Sequence, residues 1–476
     1  MCGIAGIFNV PGAERYVADL LFSIQHRGQE SCGISVRRDN GSVLTYKNMG
    51  LVKQVLTLDI LDRHTGKTAI GHVRYPTAGS SNALNSQPHT IELVQGSVMS
   101  ICSNGDIVNY SELRQKLEKE QGFVFTSDND GELIGRLIAY HHHSASERLP
   151  IEQAIAATQN ELKGAFSALL IYRDTMYAFR DPHGFRPYVM GHLTWQGVGE
   201  MPSEGTCFAS ESCAFGIIGA RFVRELKPGE ILKLEKNRPL TVVAVNAKQP
   251  RHCVFELIYF SRPDTITFGE SVYRTRQHIG ATLAQRDGDI PNGDDLTVMA
   301  VPDSSNFVAL GYAAEKKASF DMGLIRNHYV GRTFLRPLQD ARDEGVKQKF
   351  NPLPGFFTDK RVVLVDDSIV RGTTLRKIVR MIKGAGAKEV HVRIGSPRVI
   401  GSCFYGIDTP TRSELIANNK TVEETRDYLN ADSLRYLEIP DFQHLLKKPG
   451  DFCTACFSND YIYVPPSFVK TNAPGC

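Results

Sequence analysis

Residues 361–374 read RVVLVDDSIVRGTT, and no other segment restricts the possible folds of this chain as strongly. Val362–Val365 is an unbroken run of β-branched residues and leucine, the pattern of a central parallel strand covered on both faces. Two acids follow at once, then a loop of Ser, Gly and Thr. Beyond it Leu375, Ile378, Val379 and Ile382 recur at i, i+3, i+4 and i+7 before Gly384, which predicts an amphipathic helix. Strand, acidic loop and helix in that order belong to an open α/β sheet, whose ligands sit at the carboxyl ends of its strands. A helix N-terminus with free N–H groups and hydroxyls binds phosphate. Adjacent carboxylates at Asp366 and Asp367 would repel that phosphate unless they hold hydroxyls or a cation, and sugar hydroxyls and Mg2+ are the natural partners. A bare pair of acids would only cap a helix; the flanking pattern carries the inference.

The chain has 476 residues, too many for one core, so two domains are expected. Around the acidic loop, strands and helices alternate: Leu296–Val301, then Asn306–Lys317, and later Glu389–Ile394. This predicts a parallel sheet with covering helices. The first half reads as strand-rich. Gly3–Asn9 is a strand, Glu14–Gln25 a helix, and Asn109 stands as N-cap to a helix over Tyr110–Gln121 that ends at Gly122. Ala165–Tyr172 and Met176–Arg180 are β runs parted by turn residues Arg173–Thr175. A stretch containing Pro239, Asn246 and Pro250 separates the halves, giving domains at 2–240 and 251–463 and an irregular tail at 464–476. The net charge of +3 argues for neither a nucleic-acid nor a membrane partner. The N-terminus MCGIAGIFNV carries no export signal, so a cytoplasmic protein is expected, whose ten scattered cysteines are not a disulfide framework.

RVVLVDDSIVRGTT closely resembles the phosphoribosyl pyrophosphate motif of type I phosphoribosyltransferases. The resemblance implies that Asp366 and Asp367 take ribose hydroxyls and help hold Mg2+. It assigns the 5′-phosphate to the loop Ser368–Thr374, with Ser368, Arg371, Gly372, Thr373 and Thr374 as its binding residues. Upstream, VPDSS at 301–305 resembles the family's pyrophosphate loop, and Ser304 falls at the position that contributes to the metal site.

The start of the chain carries a second chemistry. A small residue after Met1 permits removal of Met1, which would leave Cys2 with nucleophile and base on one residue: its own α-amine, of pKa about 8, can take the thiol proton. MCGIAGIF, QHRGQE (25–30), GHVRYPTAGS (71–80) and SNGD (103–106) follow in order and together resemble the N-terminal-nucleophile glutaminase domain of class II amidotransferases. That domain cleaves an amide and needs an oxyanion hole. The resemblance assigns this to Asn104 and Gly105. It gives the glutamine carboxylate to Arg74, the ordering of the nucleophile to Arg27, and the α-amine to Asp130 in preference to Asp128.

The pairing of these two motif sets resembles the amidophosphoribosyltransferases. It implies a layered αββα glutaminase domain (α+β) followed by an α/β transferase domain with a mostly parallel sheet. The implied reaction converts phosphoribosyl pyrophosphate, glutamine and water into phosphoribosylamine, glutamate and pyrophosphate, the first step of purine synthesis. Arg332, within YVGRTF (329–334), and Lys349, in the loop after it, are the implied partners of pyrophosphate charge. A homotetramer inhibited by purine nucleotides is implied as well. Ser103, Asp106 and Pro76 depart from the family's usual His, Asn and Ser.

Cys453 and Cys456 form a C-x-x-C pair, which alone is weak; the resemblance adds Cys253 and Cys403, positions that ligate a [4Fe–4S] cluster in one branch of the family. Four thiolates suit iron–sulfur or zinc equally by ligand type. Other class II amidotransferases lack RVVLVDDSIVRGTT, and a phosphoribosyltransferase-fold sensor would have no use for Cys2.

Overall fold

The first half of the chain builds two antiparallel sheets that share one apolar seam. In the computed structural model, residues 2–75, 80–93, 96–143, 148–196, 203–327, 349–466 and 468 are described. Gly3–Phe8 lies inside a seven-stranded sheet, flanked by Ser203–Ala209 and Thr68–Arg74. The second sheet has six strands, with Val98–Ile107, Gly164–Tyr172 and Thr175–Arg180 as consecutive neighbours. Ile4, Phe8 and Ile70 of the first sheet meet Cys102, Leu169, Ile171 and Met176 of the second. Helix Ala13–Ser23 covers the outer face of the first sheet, and helices Asp130–His143 and Ile151–Glu161 cover the second. The result is the expected αββα layering, each sheet buried on both faces.

The six-stranded sheet takes in Thr241–Val245, paired with Glu230–Glu235, so a strand occupies the stretch read as a separator between the halves. Helix Tyr110–Gln121 runs over the expected residues and ends at Gly122, whose φ of 69° is the left-handed cap that glycine supplies. Asn109 precedes it but does not cap it. Its side chain accepts from the Lys163 N–H (2.9 Å) and donates to the Glu161 carbonyl (3.0 Å), tying down the end of a neighbouring helix instead.

The second half is a five-stranded parallel sheet in the order Ser319–Phe320, Leu296–Ala300, Arg361–Asp366, Glu389–Ile394, Ser433–Tyr436. Arg361–Asp366 is central, as its apolar run predicts. Val363 and Val365 pack with helices Val272–Gln285 and Asn306–Lys316, while Val362 and Leu364 pack with helix Thr373–Gly384. That helix buries Leu375, Ile378, Val379 and Ile382, the four residues of the sequence pattern. A separate parallel pairing joins His252–Cys253 to Phe452–Cys453.

Candidate active sites

Cys2 is buried at the start of the strand Gly3–Phe8. Its N–H donates to Asn104 Oδ1 (3.1 Å), and its Sγ lies 3.7 Å from the Tyr75 carbonyl oxygen. Asn104 sits on the facing sheet, in Val98–Ile107, and is almost fully buried. Among the described residues its Nδ2 has no hydrogen-bond partner. A buried amide donor costs about 1–3 kcal/mol when left unmade, so this N–H is open to an acceptor. Gly105 follows. A Cβ there would lie 1.8 Å from the Ala165 carbonyl oxygen, so the strand pairing demands glycine.

Arg27, fully buried, donates from Nε to the Cys2 carbonyl (3.0 Å). Its other nitrogens reach Glu211 and both oxygens of Glu256 (2.8 and 3.0 Å). Arg74 is buried and pairs with Glu30, and also donates to the Ser80 carbonyl (3.4 Å). Asp130 Oδ2 accepts from the Ile107 N–H (2.9 Å), which puts this carboxylate at the end of the strand carrying Asn104 and Gly105. Asp128 instead pairs with Arg114 and its side chain is 59% exposed. Burial, then the charge of Asp106, pushes the Asp130 carboxyl well above the usual carboxylate range. Burial likewise pushes Asp106 up to about 6. Pro76 lies outside the described residues.

At the parallel sheet, Asp366 ends its strand and Asp367 opens the loop. Ser304 Oγ donates to Asp367 Oδ1 (2.6 Å) and Ser368 Oγ to Asp367 Oδ2 (2.6 Å). Burial, then the Asp367 charge, holds Asp366 well above the usual range. Burial also raises Asp367, against the pull of the Ser304 and Ser368 hydroxyls. Such a pair favours a proton or a cation between its members, which is the donor chemistry a divalent ion needs. Gly372, at φ 73°, turns the chain into the helix beginning at Thr373 and Thr374. Arg371 is exposed and paired with Glu414 (2.9 Å). Lys349 has its Nζ 5.2 Å from the Phe350 ring centroid; Arg332 lies outside the described residues.

Cys253, Cys403, Cys453 and Cys456, all free thiols, line one cavity of about 20 Å3, together with Arg186 and Tyr405. The Tyr405 N–H donates to Cys403 Sγ (3.3 Å). Burial pushes the Cys253 thiol up to about 11 and Cys453 up to about 12. Among the described residues, no group of three or more His, Cys, Asp or Glu is arranged to hold a metal ion.

Sequence reasoning missed Ser305, which donates to Asp366 Oδ1 (3.0 Å), and the buried partners Glu211, Glu256 and Arg186. Glu256 did leave a signal: it is the one charge in CVFELIYF, and a charge in an apolar run needs a buried counter-ion.

Residues 78–215 match the glutamine amidotransferase domain family and residues 271–394 the phosphoribosyl transferase domain family. The chain is 45% identical to amidophosphoribosyltransferase 2, chloroplastic, of Arabidopsis thaliana, over 98% of this chain and 80% of that one. It is 40% identical to the amidophosphoribosyltransferase of Methanothermobacter thermautotrophicus, over 98% and 96%. A solved glutamine phosphoribosylpyrophosphate amidotransferase from B. subtilis, complexed with ADP and GMP, superposes with a TM-score of 0.85 at 37% identity, covering 97% of each chain. With relatives this similar along nearly all of this chain and most of their own lengths, and both of its halves matched, the chain belongs to the amidophosphoribosyltransferase family.

Proposed function

We propose that the chain makes phosphoribosylamine from phosphoribosyl pyrophosphate and glutamine, the first committed chemistry of purine synthesis, with Cys2 as the glutamine nucleophile. The observation that carries the residue-level reading is buried Asn104, which holds the Cys2 N–H through Oδ1 and whose Nδ2 has no partner among the described residues. Once Met1 is removed, the Cys2 α-amine takes the thiol proton, and the thiolate attacks the side-chain amide of glutamine. Asn104 Nδ2 and the Gly105 N–H receive the oxyanion, Arg74 the substrate carboxylate, and Asp130 its α-ammonium. The amide nitrogen leaves as ammonia, and water then releases glutamate. Ammonia crosses between the halves without meeting bulk water, where it would be protonated and lose its lone pair.

At the second site Asp366 and Asp367 hold the ribose hydroxyls, and Ser368–Thr374 hold the 5′-phosphate at the helix N-terminus. Arg371 has to leave Glu414 to join them. Ser304, Asp366 and Asp367 would hold Mg2+, which supplies charge neutralisation for the leaving pyrophosphate. Arg332 and Lys349 would partner that pyrophosphate. Attack of ammonia on the anomeric carbon breaks its bond to pyrophosphate.

Cys253, Cys403, Cys453 and Cys456 would hold a structural [4Fe–4S] cluster, a group that spreads its ligands around several irons rather than gathering them on one ion. Their confinement to one small cavity supports this. The nine described cysteines are all free, which supports a reducing compartment such as the cytoplasm. The ADP and GMP bound to the B. subtilis relative support purine nucleotides as ligands; as inhibitors, and on a homotetramer, they complete the proposal. Pyrophosphate release that needs both glutamine and phosphoribosyl pyrophosphate tests the reading. Release without glutamine or ammonia, or none with both substrates, would refute it.

A further inference from the structure

Glu256 belongs to the second half of the chain, in the short helical segment Glu256–Phe260 that follows Cys253. Its carboxylate is fully buried and faces the first half. Both of its oxygens bond Arg27 (2.8 and 3.0 Å), whose Nε holds the Cys2 carbonyl (3.0 Å). Ser261 Oγ donates to Glu256 Oε2 (2.7 Å), and Arg186 lies 3.5 Å from Oε1. Arg186 in turn lines the four-thiol cavity and donates from Nε to the Tyr405 carbonyl (2.7 Å). Next to Tyr405, Gly406 packs directly on the Gly105 backbone: a Cβ on Gly406 would lie 3.2 Å from the Gly105 carbonyl carbon.

We propose that Glu256 is a positioning residue for the glutamine nucleophile, supplied by the transferase half: it fixes Arg27 against the Cys2 carbonyl, and Arg186 ties the same carboxylate to the four-thiol cavity. Arg27 alone could not do this. A buried guanidinium needs paired anions, and of its two carboxylate partners among the described residues Glu256 is the one that comes from across the interface, with a two-oxygen grip. The nucleophile is therefore placed correctly only when the halves are docked. The arrangement rests on Cys2 as nucleophile, so the test reports on both.

The protein is exposed to an electrophilic glutamine analogue, and the labelled residue and labelling rate are read by peptide mass mapping. Glu256→Gln keeps the size of the side chain but removes the charge; it should slow labelling at Cys2 by about a hundredfold, the cost of a misplaced reacting group. Ammonia-dependent phosphoribosylamine synthesis, which bypasses Cys2, should persist. Ser261→Ala, a gentler change, should slow labelling a few-fold with no loss of thermal stability comparable to that of Glu256→Gln. Labelling at the wild-type rate in both variants would overturn the proposal, as would loss of both activities in Glu256→Gln together with normal labelling in Ser261→Ala. Labelling at another cysteine in the wild-type protein would sink the Cys2 reading itself, a different failure with a different signature.

Discussion

Asn104 accepts a hydrogen bond from the Cys2 N–H, while among the described residues its own Nδ2 has no partner. In the proposed reaction this one side chain orients the nucleophile with its oxygen and leaves its nitrogen for the substrate. Replacing Asn104 with Ala should lower glutamine-dependent turnover by about 10²–10³-fold, the usual cost of one oxyanion donor. Ammonia-dependent synthesis should survive. Equal loss of both activities, measured side by side, would contradict this role.

Cys2→Ser should abolish use of glutamine and spare synthesis from high ammonia at raised pH. Intact-mass measurement of the wild-type protein should show loss of one Met. A fully active protein that keeps Met1 would rule out the free α-amine as base.

Asp367→Asn should cost phosphoribosylamine formation by orders of magnitude, since metal and ribose lose an anionic ligand, while basal glutamine hydrolysis continues. The two rates can be followed in one preparation as pyrophosphate and glutamate. Normal transfer in this variant would remove Asp367 from the site.

Burial holds the Asp106 carboxyl up to about 6, above its ordinary range near 3.8. The folded protein therefore binds this proton more tightly than the unfolded chain. The stability linked to it is fully present below the unfolded value and is lost as pH rises through about 6. Asp106→Asn should accordingly raise the melting temperature at pH 7.5 and have little effect near pH 4. The same carboxylate stands beside Asp130, itself raised by burial and by the Asp106 charge, so in the wild type kcat/KM for glutamine should fall as pH drops and the pair takes up protons. A melting difference that stays constant across this window would count against the linkage.

Protein purified without oxygen should be brown and carry about four iron and four labile sulfide per chain. Cys456→Ser should bleach it. Colourless wild-type protein with one zinc would replace the cluster and leave the enzyme assignment standing.

The transferase site was legible because its parts are contiguous: strand, acids, loop and helix follow one another from Arg361 to Gly384, and local periodicity identifies each. The candidate glutamine site is legible through short motifs rather than through physics, and only a count of residues favours Asp130 over Asp128. The bond between Arg27 and Glu256 was not legible, since 229 positions separate partners that meet only when the halves dock. Pro239, Asn246 and Pro250 give Thr241–Val245 the look of a linker; it is an edge strand, where such residues are tolerated. Asn109 has a capping residue's identity at the capping position, yet a nearby loop offered its side chain better partners.

The pairing of His252–Cys253 with Phe452–Cys453 joins two points about 200 residues apart, nearly the two ends of the second half. Closing a loop of that length costs about 5 kcal/mol in chain entropy. A two-residue ladder returns only about 1 kcal/mol per hydrogen bond, too little by itself. The difference falls to the apolar packing of Phe452, Phe457 and Phe255, each worth about 2–3 kcal/mol when buried. Closure of this ring is thus a hydrophobic event. It brings Cys253 and Cys453 to adjacent positions on the strength of their phenylalanine neighbours.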